Sequence, residues 1–401
     1  MALATFFIAV QGYTSLAALA PTPPVGYVFL SRSGAAALAA ALVVSAAVCL
    51  AALVRERPRL RGTASCALLC AWIGSAVLAT VLGIDPLSGL QVVAMMLLGA
   101  VFHLTLVTTF ARGTTARNVV LPYLACGLAA NCAGVAMAAA HRPVALWALN
   151  GGRAAGLFVT ANQFAAFALT FGFVALGAAL ALRGRARMLA TAAVASALVA
   201  LVATRSLGGA LGALAGAAFL TAACGRRRSA GALATIAVAA SAFALVRPAA
   251  LHARGDELDR VRIWRAGVRA AVLFPLTGSG PMTYWRVYPS VRAPGDDPPG
   301  TFGALHPHDA YLSLAGETGV VGLAAAAYGW WRFFGAVRSG ARARTARERR
   351  LLWSVCAALV AACVQGVFDT IGIVQMTFVW IPYAGLALAA AEGGLPLELR
   401  A

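Results

Sequence analysis

A histidine pair followed by an acid is the first feature of the chain that could do chemistry. His306, His308 and Asp309 lie in the segment His-Pro-His-Asp. We expect His308 to transfer protons, because an imidazole changes charge near neutral pH. A loop histidine without a role is the simpler interpretation of the same segment. The three side chains could also begin a metal site, but further ligands are not evident, so no metal and no other cofactor is predicted.

Arginines form the second group with possible chemistry. Arg205 stands in a short turn between two apolar stretches, while Arg262, Arg265 and Arg269 share one face of an amphipathic helix predicted over residues 257–274. A guanidinium binds phosphate through paired hydrogen bonds. The helix therefore either lies among lipid headgroups or clamps a phosphate-bearing substrate. For Arg205 the alternative is a side chain that reaches back to the membrane surface.

Two acids fall within stretches that are otherwise apolar. Glu317 lies about two turns into a predicted helix, where an acid is costly unless it is paired or faces a wet cavity. It therefore predicts a polar crevice. Asp369, at the end of the next predicted helix, either belongs to the same crevice or lies at the membrane surface.

The composition determines which elements position these residues. The chain has 401 residues, is 61% hydrophobic and 11% charged, and has apolar runs long enough to cross a bilayer, which excludes a soluble protein. All 32 basic residues are arginine. They cluster in short loops beside apolar spans, so the net charge of +19 reflects membrane topology rather than nucleic-acid binding. The eight cysteines lack metal-ligand spacing and are interpreted as buried apolar residues.

The sequence predicts an all-α membrane protein of about twelve transmembrane helices, since only helices satisfy their own backbone across such long apolar spans. The predicted helices cover residues 2–20, 35–54, 63–83, 90–110, 119–140, 161–182, 187–203, 206–224, 230–247, 310–334, 351–369 and 372–391. Arginine-rich and arginine-poor loops alternate along the chain. The arginine-rich side is expected to be cytoplasmic, which predicts both termini there.

One long connection interrupts this pattern. The chain divides into nine transmembrane helices (1–247), an extracytoplasmic loop (248–309) that contains the short amphipathic helix, and three further transmembrane helices with a short cytoplasmic tail (310–401). Such a long connection in a compact bundle is typically functional. We therefore expect any catalytic site to lie in this loop, on the outer face of the inner membrane.

The segment from His308 to Leu312, with Glu317, Gly319 and Gly322 after it, resembles the HNxxL…ExGxxG signature of the O-antigen ligase and O-antigen polymerase family. Three other stretches agree in order with that family. They are Arg153 to Gly156 followed by Asn162; Arg205 with Ser206; and Arg260 to Trp264 leading into Pro275 to Pro281. Asp309 departs from the usual asparagine, which leaves the contribution of that position open.

The resemblance implies a metal-independent, inverting membrane glycosyltransferase of the GT-C type, whose donor is a glycan on an undecaprenyl or other polyprenyl diphosphate. It implies that Arg205 and Arg260 bind the diphosphate and that His308 is the base, with Arg262 and Arg265 as substitutes for Arg260. Arg153 would add positive charge. Asn162 and Glu317 would hold the cavity through hydrogen bonds rather than react.

Several functions stay open at this point. The acceptor implied first is lipid A-core, in lipopolysaccharide biosynthesis, but a growing polysaccharide or a protein hydroxyl fits the same machinery. A secondary transporter also has about twelve helices, although coupling requires ionisable groups near the membrane midplane. Of the thirteen acidic residues, only Glu317 and Asp369 fall within the predicted spans, both towards the outer side. This scarcity of charge favours the transferase.

Overall fold

The computed structural model of the protein describes residues 43–55 (except 45), 63–111, 116–142, 144, 147, 150–158, 160–225, 253–294, 306–368 and 384–391. Within these ranges the protein is all α, as predicted. We label its main helices α1 (Ala64–Leu82), α2 (Pro86–Ala111), α3 (Ala116–Ala139), α4 (Ala161–Ala181), α5 (Gly184–Thr204), α6 (Leu207–Ala223), α7 (Ala253–Leu273), α8 (Tyr284–Val291), α9 (Ala310–Arg342) and α10 (Ala346–Gln365).

The predicted helices between residues 63 and 224, and those that start at 310 and 351, are confirmed to within a few residues at most ends. Six described helices, α1 to α5 and α9, are long and apolar enough to cross a membrane. The predicted helices 2–20 and 230–247 lie outside the described residues, and those at 35–54 and 372–391 lie partly outside them. The total of twelve therefore stays a prediction.

Helix α4 is at the centre of the bundle. It packs against α3, α5, α6 and α10, and 78% of its apolar span is buried. Its phenylalanines pack ring against ring: Phe167 and Phe171 are stacked 5.7 Å apart, and Phe158, from the preceding turn, contacts Phe164 and Phe167. Thr160 begins the helix with a reciprocal capping box to Gln163. This aromatic core fixes the helix ends on which the candidate site is built.

The face by which α7 packs on the protein differs from the face that its apolar spacing predicts. Val268 and Val272, part of the apolar stripe expected from the spacing, are 51% and 73% exposed. The buried face instead carries Ala266 and Ala270, which pack against the inner face of α8. Small residues allow α7 to approach its neighbours closely, whereas Val268 and Val272 face away from the protein.

Helix α9 is broken in its middle by Gly319, whose φ of 61° and ψ of −164° only glycine adopts readily. The segment 275–280 occupies the break. Its backbone bonds to both halves of α9: Val320 and Val321 donate to the carbonyls of Pro275 and Leu276, at 2.9 and 3.1 Å. In return, the N–H groups of Ser279 and Gly280 bond to the carbonyls of Gly316 and Glu317, at 2.9 and 3.1 Å.

This pairing changes the expected course of the long loop. Residues 275–280 pair with the interior of an apolar helix, about ten residues from its start at Ala310. At 1.5 Å per residue, that is about 15 Å along the helix axis. The middle of the loop is therefore packed between helices, where the backbone groups freed by the break find protein partners rather than lipid.

Candidate functional site

Arg153 joins the start of α4 to the end of α5. Its Nε donates a hydrogen bond of 2.8 Å to the carbonyl of Thr204, and its Nη2 donates one of 2.6 Å to Oδ1 of Asn162. The backbone N–H of Ala154 also bonds to the carbonyl of Ala203. The arginine is therefore a structural link that also leaves positive charge at this end of the bundle.

Arg205 lies in the turn directly after this link. It is exposed and has a left-handed backbone, with φ of 49°, while Ser206 caps α6 by accepting from the N–H of Gly209. Gly208, three residues after Arg205, lies so close to Gln365 and Phe368 that an added Cβ would be 3.1 to 3.5 Å from their atoms. The first turn of α6, which directly follows Arg205, is thus packed against the end of α10 and the residues after it.

Gln365 connects this turn to Asn162. It is fully buried, and its Nε2 donates a 2.9 Å hydrogen bond to the carbonyl of Asn162. Asn162 thereby receives one hydrogen bond on its side chain from Arg153 and another on its backbone from α10. These contacts are structural, and the supporting role of Asn162 in the site stays a prediction. Gln365 was missed in the sequence because a single amide inside an apolar span has no local pattern.

His308 lies at the same end of the bundle. Two residues later, Ala310 donates its N–H to the carbonyl of Gly366, 2.7 Å away. This bond anchors the start of α9 beside Gln365. His308 itself has a left-handed backbone, with φ of 49°, and its carbonyl accepts a long bond of 3.4 Å from Nε1 of Trp264. The helices that start just after Arg205 and His308, α6 and α9, therefore both contact residues 365–368 at the end of α10.

Asp309 is the N-cap of α9. Its Oδ1 accepts the N–H groups of Tyr311 and Leu312, at 2.7 and 2.8 Å. Aspartate and asparagine are both strong N-caps, so the change from the family's asparagine keeps this function. Burial raises the pKa of Asp309 above its usual value, and the two N–H groups act in the opposite direction. The cap fixes the backbone that directly follows His308.

The two histidines have different environments. Their ring centroids are 4.4 Å apart, with the rings nearly perpendicular. Burial, and secondly the neighbouring His308, holds the pKa of His306 well below its ordinary value. His306 is therefore neutral at physiological pH. Its lowered pKa makes His306 a weaker base than an ordinary imidazole, and the assignment of His308 as the base stays a prediction.

The arginines of α7 have separate roles. Arg262 and Arg265 are exposed, whereas Nη1 of Arg269 donates a 3.0 Å bond to the carbonyl of Val291 at the end of α8. Arg260 belongs to α7, one turn before Trp264, but its side chain lies outside the described part of the structure. Position 260 lies on the same side of α7 as Trp264, which bonds to the carbonyl of His308.

Glu317 is almost completely buried, with 5% of its surface exposed. Its carboxylate accepts hydrogen bonds from the backbone N–H groups of Met282 and Tyr284, at the start of α8. The crevice predicted from this acid is thus filled by the protein's own loop. In the glycine-rich segment before α8, the N–H groups of Ser279 and Gly280 bond to carbonyls of α9. Asp369 lies outside the described residues.

Metal binding finds no support in the part of the chain that is described. No group of three or more His, Cys, Asp or Glu side chains there could hold an ion. Since several loops are not included, the expectation of metal-independent chemistry stays a prediction.

Comparison with known proteins supports the resemblance seen in the sequence. A family model described as O-antigen ligase matches residues 192–327, about a third of the chain. The matched stretch contains Arg205, α7, His308 and the break at Gly319, but not Arg153 or Asn162. No curated protein matches the chain.

Proposed function

We propose that this protein, assigned to the O-antigen ligase family, transfers a glycan from a polyprenyl-diphosphate donor to an acceptor hydroxyl on the outer face of the inner membrane. The family match and the apolar helices support a glycosyl-transfer role in O-antigen processing by a multi-pass membrane protein. The proposed acceptor is lipid A-core, and the proposed reaction inverts the anomeric centre without a metal or other cofactor.

The observation that carries this proposal is the meeting of two turns at one end of the bundle. Gly208, in the first turn of α6 after Arg205, lies against Gln365 and Phe368, and Ala310, two residues after His308, bonds to Gly366. The chain just after Arg205 and the chain just after His308 therefore both pack against residues 365–368 at the end of α10. This arrangement suits a reaction in which negative charge develops on a leaving group while a hydroxyl loses a proton.

The proposed mechanism uses these groups separately. His308 accepts the proton of the acceptor hydroxyl as its oxygen attacks the anomeric carbon, and the bond to the diphosphate oxygen breaks. Arg205, with Arg260, Arg262 or Arg265 from α7, stabilises the negative charge that develops on the departing diphosphate. Arg153 adds to the positive potential, and Asn162 keeps it in place.

The test is to incubate the purified protein with a polyprenyl-diphosphate oligosaccharide and one candidate acceptor at a time, and to identify the products by mass spectrometry. Addition of a glycan to lipid A-core supports the proposal. Chains of repeats made from donor alone, or a glycosylated protein, would replace ligation with polymerisation or protein glycosylation. No transfer to any acceptor, with proton- or sodium-driven uptake by proteoliposomes, would overturn the proposal in favour of a transporter.

Donor binding gives a second, independent measurement. Arg205→Ala and Arg265→Ala remove exposed cations from the proposed diphosphate site, so the donor KM should rise while the acceptor KM stays the same. Arg187→Ala, an exposed arginine at the arginine-rich end of α5, is the matched control. Unchanged donor affinity in both test variants would remove these arginines from the site.

A further inference from the structure

The short helix α8 is held at both ends by side chains of neighbouring helices. At its start, the buried carboxylate of Glu317 accepts the N–H groups of Met282 and Tyr284. At its end, Arg269 donates to the carbonyl of Val291. Helix α8 is thus a strut with one end on α9 and the other on α7.

The strut also supports α7 along its length. Its inner side chains, Tyr284, Val287, Tyr288 and Val291, form one buried cluster with Ala266 and Ala270 of α7. In addition, the Tyr284 hydroxyl donates a 3.1 Å hydrogen bond to the carbonyl of Ile263. A shift at the start of α8 is therefore transmitted to the turn of α7 that begins at residue 263.

That turn of α7 is next to the proposed reacting groups. Arg262 and Arg265 flank Ile263 and are exposed, and Trp264 bonds to the carbonyl of His308. This turn of α7 thus carries two proposed donor-binding arginines, and its Trp264 contacts the segment of the proposed base, His308. A small displacement of α7 would change the distance between the two groups.

We propose that Glu317 is a positioning residue that sets the distance between the α7 arginines and His308 through α8. The inference rests on the proposed function, because it gives those arginines and that histidine their roles. Glu317 does not touch substrate: it is buried, and its carboxylate is used by two backbone N–H groups. A carboxylate fits this task because it accepts both N–H groups from within an apolar helix.

The first experiment compares substitutions of two capping glutamates. Glu317→Ala removes both acceptors and should lower kcat/KM roughly 10²-fold, the effect of a displacement of about 1 Å at a catalytic site. Glu317→Gln keeps an acceptor oxygen and should recover much of the loss. The control is Glu348, which accepts the N–H of Thr345 at the start of α10, at the arginine-rich end. Glu348→Ala should leave transfer unchanged.

A disulfide lock separates positioning from any other role of the acid. The Cβ of Ala270 on α7 lies 3.7 Å from the point where a Cβ on Gly316 of α9 would lie. This matches the usual Cβ separation in a disulfide, about 3.8 Å. The pair Ala270→Cys and Gly316→Cys should therefore fasten α7 directly to α9. Added to Glu317→Gln or Glu317→Ala, the oxidised lock should restore most of the lost rate.

Reduction of the lock is the internal control. Dithiothreitol should abolish the recovered activity of the locked Glu317 variants, while wild type and each single cysteine variant should be unaffected by it. A Glu317→Ala protein that transfers glycan at the wild-type rate would overturn the inference. A lock that forms but gives no recovery in either Glu317 variant would also overturn it, because the acid would then do more than hold α7.

Hydrogen exchange distinguishes failure of this inference from failure of the proposed function. The amides of residues 284–291 should exchange faster in Glu317→Gln than in wild type, whether or not glycan is transferred. Faster exchange in Glu317→Gln, together with a wild-type protein that transfers no glycan, would support the role of α8 as a strut and overturn the proposed function. Equal exchange, with wild-type transfer, would overturn the strut alone.

Discussion

The break in α9 gives the strongest single test of the fold around the site. Replacing Gly319 with alanine places a side chain on a backbone with φ of 61° and ψ of −164°, which costs about 1–3 kcal/mol for a residue other than glycine. The new Cβ would also overlap the carbonyl of Leu276. The segment 275–280 must then move out of the break, or α9 must change its path.

The magnitude follows from the four backbone hydrogen bonds across the break. Each contributes about 0.5–1.5 kcal/mol net, so their loss together with the backbone strain amounts to at least about 3 kcal/mol. We expect Gly319→Ala to lower the thermal melting midpoint in detergent by several degrees. It should also reduce glycan transfer more than it reduces the amount of folded protein, because α8 follows directly after this segment.

Gly335 in the same helix provides the matched control. It has no atom within 4 Å of an added Cβ, and alanine in an ordinary helical position is slightly stabilising. Gly335→Ala should therefore melt at or above the wild-type temperature and keep its activity. If Gly319→Ala melted and transferred glycan like Gly335→Ala, the pairing of segment 275–280 with α9 would be refuted.

Three further outcomes are expected. Arg153→Gln breaks the bonds to Asn162 and Thr204, so it should lower the melting midpoint as well as donor affinity; a change in donor affinity alone would contradict the structural link. The pKa of His306 is depressed in the folded state, so the unfolded chain binds more protons as the pH falls through about 6.5, and stability should fall by up to about 1.4 kcal/mol per pH unit. His306→Ala should remove this slope in melting scans from pH 7 to pH 5; an unchanged slope would show that another group causes the pH dependence. Asp85→Asn breaks the ion pair with Arg286, which is 47% exposed, so it should change stability by less than about 1 kcal/mol; a loss of several kcal/mol would contradict the surface character of that pair.

The elements that the sequence predicts best are those with a local signal. Apolar spans bounded by arginine, proline or glycine predict α1 to α6 closely, because the membrane requires a long continuous apolar run for each helix. The amphipathic spacing after residue 257 likewise predicts α7. Which face of α7 packs is not local, since it depends on the small residues Ala266 and Ala270 meeting a helix that begins at Tyr284.

The candidate site divides in the same way. His308 and the arginines can be found from residue type and motif, because few side chains could hold a proton or a phosphate near neutral pH. Their supports come from distant parts of the chain. Gln365 reaches Asn162 across 203 residues, and Glu317 reaches the start of α8 through the break in α9. No spacing rule reveals such partners, since each requires the packed bundle.

The two histidines of the His-Pro-His-Asp segment allow the most direct test of the central claim, that His308 is the base of a glycosyl transfer. The measurement is the rate of glycan transfer by purified His308→Ala and His306→Ala, with saturating donor and acceptor at neutral pH. We predict that His308→Ala loses about 10²- to 10⁴-fold in rate, while His306→Ala stays within about tenfold of wild type, as loss of a neutral, non-reacting neighbour should. Transfer by His308→Ala at the wild-type rate would contradict the claim.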